Sequence, residues 1–255
     1  MSATRAVADS ATMLRRQLKH IRRYPTPLIT YTAVPVVFLL LFVYVLGGTI
    51  SAGVGGSRAA YVAYLTPGIL ATTIAGAAQG TAIAVAMDVT GGIVARFKTM
   101  AIARVSVLTG HVLGALVQNF LALAATIAAA LAMGLRPAAG ALDWLGVVAV
   151  LAMFTFAITW LSVALAMTAG NVGTASNLPM PLLILPFLGG GVVPAASMPP
   201  PLRWFADHQP FTPVIETLRA LLAGRAPGSN LAEAVGWSAA ITLCGYLWAR
   251  RRYNG

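Results

Sequence analysis

Long apolar runs separated by short polar connections constrain this 255-residue chain more than any other feature. Six runs stand out, at roughly residues 28–46, 61–84, 106–133, 142–168, 172–193 and 232–249. Each reaches or nearly reaches the ~20 residues a helix needs to cross a bilayer. Pro35 interrupts the first run, and Pro179, Pro181 and Pro186 break the fifth. Only 9% of the residues are charged and 58% are hydrophobic, whereas soluble domains carry about 25% charged residues. A soluble fold would lack the charge to cover its surface, and a disordered chain is excluded by the same composition. The expected class is an all-α integral membrane protein with six transmembrane helices. Such a chain leaves few residues for a separate soluble domain.

The net charge of +11 belongs to topology in such a protein, not to nucleic-acid binding. Arg5, Arg15, Arg16, Lys19, Arg22 and Arg23 precede the first run, Arg96, Lys98 and Arg104 lie between the second and third, and Arg250, Arg251 and Arg252 end the chain. Arg58, Arg136, Arg203, Arg219 and Arg225 fall to the other side. The excess places both termini in the cytoplasm, which an even number of spans requires. Cys244 is the single cysteine, so neither an intrachain disulfide nor a cysteine-cluster metal site is available.

Two polar segments carry their own helical pattern. Within residues 1–27, Val7, Ala11, Leu14, Leu18 and Ile21 fall on one stripe, with Arg5, Arg16, Lys19, His20 and Arg23 mostly off it. This predicts an amphipathic helix lying on the cytoplasmic membrane surface, ended at Tyr24-Pro25. A signal peptide's charged leader is the alternative, but the apolar run that follows is too long for one. Residues 28–255 form the six-span transmembrane domain in this division. Between the fifth and sixth runs, residues 194–230 are too polar to cross. Pro199–Pro201 stop a helix there, Trp204, Phe205 and Phe211 are apolar or amphipathic anchors, and Val214, Ile215, Leu218, Leu221 and Leu222 make a helical face with Glu216, Arg219 and Arg225 off it. One or two helices dipping into the outer interface are predicted.

The chemistry on offer is sparse. Neither Lys19 nor Lys98 follows a glycine, so no Gly-Lys-Ser/Thr phosphate loop exists and the chain does not hydrolyse ATP by itself. Asp9, Asp88, Asp143, Asp207, Glu216 and Glu233 all lie in connections or at span ends, which argues against an ion-coupled transporter. Asp207 and His208 are adjacent and diverge by about 100° on a helix, an unpromising catalytic or metal pair. No catalytic residue and no metal ligand is assigned. Gln79, Gln118, Asn119, Asn171 and Asn177 are polar residues in or near spans. They serve either interhelical hydrogen bonds or a polar lining of a substrate path. Gly76 and Gly80, and Gly110 and Gly114, have spacings that suit close helix packing.

The connection from Asp88 to Arg104 holds Ile93, Val94, Phe97, Met100 and Ile102, interleaved with Arg96 and Lys98. An apolar helix surface rimmed by charge suits docking in a partner's groove. A short interfacial helix with topology-setting charges explains the same residues equally well. Here the segment GGIVARFKTMAIARVSVLTGHVLG resembles the stretch after the second span of type-2 ABC exporter permeases, particularly the daunorubicin/doxorubicin-resistance type. SMPPPLRWFADHQPFTPVIETLRALLAG resembles the outer segment before their last span. The order of features agrees, so the resemblance covers nearly the whole chain.

The resemblance implies a half-transporter that forms a translocation path for an amphipathic drug-like or lipid-like cargo. A second permease, identical or related, would pair with it, and two copies of a separate ATPase subunit, with their ATP and Mg, would bind beneath. No cofactor would bind to this chain. A coupling helix at about 89–104 would use Gly92, Ile93, Val94, Arg96, Phe97, Lys98, Met100, Ile102 and Arg104. Leu14, Leu18 and Ile21 would seat the interfacial helix. Trp204, Phe205, Phe211, Glu216 and Leu218 would form an outer gate, and Gln79, Gln118, Asn119 and Asn177 a path lining. Family members often carry an acid before the arginine of the coupling helix and a proline after the methionine. Ala95 and Ala101 stand at those positions here. An ion-gradient-driven transporter and a non-transporting membrane scaffold are the alternatives.

Overall fold

The computed structural model describes residues 26–47, 57–92 and 104–254, all helix and connection with no strand among them. The expected amphipathic helix, with Leu14, Leu18 and Ile21, lies outside the described residues. So do Ile93, Val94, Arg96, Phe97, Lys98, Met100 and Ile102.

Helix α1 (Thr26–Leu40) contains Pro35 and loosens into a π-helical turn over Leu41–Leu46. A proline removes an i→i−4 hydrogen bond, and a wider turn downstream is one way a helix absorbs such a defect. Helix α2 (Arg58–Thr90) is the longest at 33 residues. Ser57 caps it by accepting from the amide of Ala60 at 3.1 Å. It ends at Gly91-Gly92, where Gly92 adopts φ 71°, a left-handed conformation that glycine enters without a Cβ clash. Its length of about 50 Å exceeds the ~30 Å hydrocarbon core by several turns. The apolar run at 61–84 therefore understates the helix, which carries Asp88 and Thr90 inside its last turns.

Helix α3 (Arg104–Ala132) and helix α4 (Ala141–Thr168) follow. Asp143 accepts from the amide of Gly140 at 2.8 Å and anchors the start of α4. The fifth apolar run forms two pieces, α5 (Val172–Asn177) and α6 (Met180–Leu188), parted at Pro179. A 3₁₀ turn at Ala195–Ser197 leads to α7 (Pro200–His208), α8 (Phe211–Leu222) and the last helix, α9 (Ser229–Asn254).

Three of these helices are both long and apolar enough to cross a membrane: α2, α3 and α4. The α1 region and the Val172–Leu188 stretch are apolar but shorter. Helix α9 has the length, but its glutamate, serines, threonine and terminal arginines dilute its hydropathy.

Helix α2 is the axis of the fold, packed against α1, α3, α4, α5, α6 and α8, while α9 lies along α4. Three apolar clusters stack along it. One joins Leu39 and Val43 to Tyr61, Leu65, Ile69 and Ala130. The largest joins Leu70 and Ile74 to Leu123, Val147, Leu151, Phe154 and the inward face of α8. The third joins Ala82 and Val85 to Val112, Trp160, Ala166 and Ala249. The third cluster fixes one end of the bundle. There the end of α2, the start of α3, the end of α4 and the Arg250–Arg252 tail come together. Helices α7 and α8 cap the opposite end.

Apolar side chains also cover the outside. Leu142 is 82% exposed and Leu145 66%. In water such a surface would be an aggregation liability; against lipid tails it costs nothing. Many hydroxyls inside the helices are satisfied by their own backbone. Thr66, Thr72, Thr73, Thr126, Thr159 and Ser162 each donate to the carbonyl four residues back, at 2.7 to 2.9 Å. No water is available at that depth to do so.

Candidate functional site

The cap is built on an amphipathic helix too short to span. Helix α8 has 12 residues, about 18 Å of rise. Phe211, Val214, Ile215 and Leu218 are fully buried on α2 and α4, with Phe211 edge-on to Phe154 at 4.9 Å between ring centroids. Burying each such side chain is worth about 1.5–3 kcal/mol where the alternative is water. Of the expected gate residues, Phe211 and Leu218 are thus core anchors. Trp204 and Phe205 on α7 face outward, Trp204 at 65% exposure and stacked on His208. Asp207 and His208 do not act as a pair. Asp207 lies 3.8 Å from Arg203, and His208 Nδ1 lies 2.8 Å from the Trp204 carbonyl.

Arg219 ties the cap to the bundle. Its guanidinium donates to the carbonyls of Tyr64 and Gly190, each at 3.1 Å, and stands 3.9 Å above the Tyr64 ring. Glu216, one turn earlier, pairs with it. The Tyr64 hydroxyl donates to the same Gly190 carbonyl at 2.8 Å. Gly190 presents that carbonyl from a left-handed turn at φ 74°, and Gly191 beside it touches Gly68 so closely that a Cβ on Gly68 would sit 2.2 Å from the Gly191 oxygen. Gln209 reaches the Leu185 carbonyl at 2.8 Å, and Thr212 bonds the carbonyls of Gly189 and Ala206. The turn after α6, the first turns of α2 and the cap are therefore one polar knot on an apolar base. The sequence pattern sets Arg219 off the apolar face as a water-facing charge. The fold instead turns it inward, to 14% side-chain exposure. Nothing in sequence pointed to Tyr64 or Gly190.

The polar residues of the spans do not form one site. Gln79 donates to the Ser176 carbonyl at 3.0 Å and so links α2 to α5, the interhelical use of the two anticipated. Asn177, on α5, is exposed. Gln118 and Asn119 lie on α3, where Gln118 is half-buried. Asn119 is buried with its Oδ1 unpartnered among the described residues. Asn171 accepts from the amide of Thr174 at 2.7 Å and caps α5. Gly76 of the Gly76–Gly80 pair makes no tight approach. A Cβ on Gly76 would meet only Leu183 at an ordinary 3.6 Å, while tight approaches to backbone include Gly68 to Gly191, Gly224 to Ala138 and Gly245 to Trp160 and Leu161.

At the opposite end, Gly92 terminates α2 and Arg104 begins α3, with Val89 and Thr90 belonging to α2. The expected segment at 89–104 is thus framed by the two helices of the bundle that its ends enter.

Residues 10–223 match the model of the ABC-2 type transporter family. The chain belongs to the ABC-2 type transporter family. It is a multi-pass membrane protein, the non-catalytic permease component of such a transporter. This ABC-2 permease is 28% identical to the daunorubicin resistance ABC transporter permease protein DrrB1 of Streptomyces coeruleorubidus, over 94% of its own length and 82% of the relative's.

Proposed function

We propose that this permease is the membrane half of an ATP-driven exporter for amphipathic drug-like or lipid-like cargo. Two copies of a separate ATPase subunit bind beneath a pair of permeases and hold the ATP and Mg. The family match over residues 10–223 carries this reading. The relative's name, a daunorubicin resistance permease, supports a drug-like cargo. So does the absence of acidic residues from the middle of the apolar runs.

The six-span topology completes α2, α3 and α4 with the α1 region, the broken α5–α6 pair and α9. Arg250–Arg252 share an end of the bundle with the Gly92 and Arg104 termini, which flank Arg96 and Lys98. The positive-inside rule makes that end cytoplasmic, with both chain termini there. Residues 1–27 then lie on the inner membrane surface and 28–255 form the permease domain.

Helix α2 overruns the hydrocarbon core, so its last turns hold residues 93–103 clear of the bilayer. In this position Ile93, Val94, Phe97, Met100 and Ile102 enter a groove of the ATPase, with Arg96, Lys98 and Arg104 at its rim. Closure of the ATPase pair on ATP displaces this segment, and α2 transmits the motion to the far end. There the knot of Arg219, Tyr64 and Gly190 holds α7 and α8 over the exit.

The test is transport into inverted vesicles that contain the permease and its ATPase, with daunorubicin as the fluorescent probe. ATP-dependent accumulation that survives collapse of the proton gradient is expected. Accumulation driven by the gradient with no ATP would establish a secondary transporter instead.

A further inference from the structure

An apolar groove of about 660 Å³ runs between α3, α4 and α9, away from the cap. Leu116 and Phe120 form one wall and Met153 and Phe156 the other. On α9 its floor is the stripe Val235, Ala239, Thr242 and Tyr246, spaced by four, three and four residues. One more step of four reaches Arg250, on the same face of the helix. Arg250, Arg251 and Arg252 are exposed, and none is in an ion pair among the described residues. Ser238 also lines the groove, fully buried, with its Oγ unpartnered among the described residues.

We infer that this groove holds one acyl chain of an anionic phospholipid whose headgroup sits on Arg250–Arg252. The inference rests on reading α9 as a span with its basic end in the cytoplasm. From Val235 to Tyr246 the stripe rises about 17 Å, close to the ~15 Å depth of one leaflet's hydrocarbon. The lining is almost wholly apolar along that length, so it suits a tail and offers a lone charge no partner. The cation cluster begins one turn beyond Tyr246, where the tail would end and a phosphate would begin. Basic residues beside a membrane-spanning helix select anionic headgroups.

The experiment uses the full-length permease with its ATPase, extracted in mild detergent from vesicles of equal phosphatidylglycerol and phosphatidylcholine. Native mass spectrometry counts the retained lipid. Phosphatidylglycerol should dominate, and Arg250→Gln should lower its preference about fivefold. Ala239→Trp, at an exposed position on the floor, should remove the tightly held lipid. Ala240→Trp, next to it but outside the groove, should not. Equal retention of both lipids by the unmodified chain would overturn the inference, and so would equal effects of the two tryptophans. One-for-one displacement of the lipid by the lipophilic cation tetraphenylphosphonium would make the groove a cargo site instead. ATPase copurification, scored on the same samples, reads the transporter assignment independently of the lipid result.

Discussion

Arg219 puts a charge where the cap meets the bundle, and its four contacts explain why a cation sits there. Arg219→Met leaves the Tyr64 and Gly190 carbonyls short of a donor and Glu216 without its partner. An expected loss of about 2–3 kcal/mol follows, read as a lower thermal midpoint of the detergent-solubilised protein. Arg219→Lys should recover only part of it, because an ammonium lacks the second nitrogen that meets Glu216 while the first donates to both carbonyls, and the plane that stacks on a ring. Gly68→Ala forces a Cβ onto the Gly191 backbone and should cost about 1–3 kcal/mol. Gly236→Ala, with nothing within 4 Å, should be neutral or stabilising by up to ~1 kcal/mol. These contacts are the part of the fold least legible in sequence. Tyr64 and Arg219 are 155 residues apart, and a glycine's close approach depends on which backbone crosses it. Gly76 had the familiar spacing and makes only an ordinary contact, while Gly68 had no spacing partner and proved tight.

Helix boundaries were far more legible, because local chemistry writes them. Apolar runs at 106–133 and 142–168 became α3 and α4 within two residues at each end. The prolines of the fifth run marked a break that the structure realises at Pro179. The second run gave α2 too short, since hydropathy reports burial in lipid or protein, whereas a helix continues through Asp88 and Thr90 until Gly91-Gly92 stops it. For α8 the pattern at 214, 215, 218, 221 and 222 named the buried face correctly, and the geometry adds Phe211. Phe211→Ala should cost about 3–5 kcal/mol, because it opens a cavity against Phe154. Trp204→Ala, on the exposed face of α7, should shift stability by less than about 0.5 kcal/mol. It should nonetheless slow transport in the vesicle assay if α7 lines the exit. A stability loss at Trp204 without any change in rate would assign it to anchoring alone.

For the whole molecule the arrangement is a lever with two unlike ends. One end carries the basic residues and the frame of the 93–103 connection; the other carries the cap, clasped by Arg219 to the first turns of α2. Helix α2 runs between them and touches most of the other helices. The family was readable from the residues because two stretches of distinctive local sequence lie at these two ends. The cargo was not, because apolar runs without an acid in their middle exclude charge without choosing among apolar shapes. The most direct test is copurification of the permease from its native membrane in mild detergent, with the associated proteins identified by mass spectrometry. An ATPase subunit in stoichiometric amount is expected. Phe97→Asp should weaken its association on the order of a hundredfold or more, the effect of an unpaired charge in a buried groove. A permease that leaves the membrane without an ATPase, or holds it as tightly after Phe97→Asp, would contradict the account.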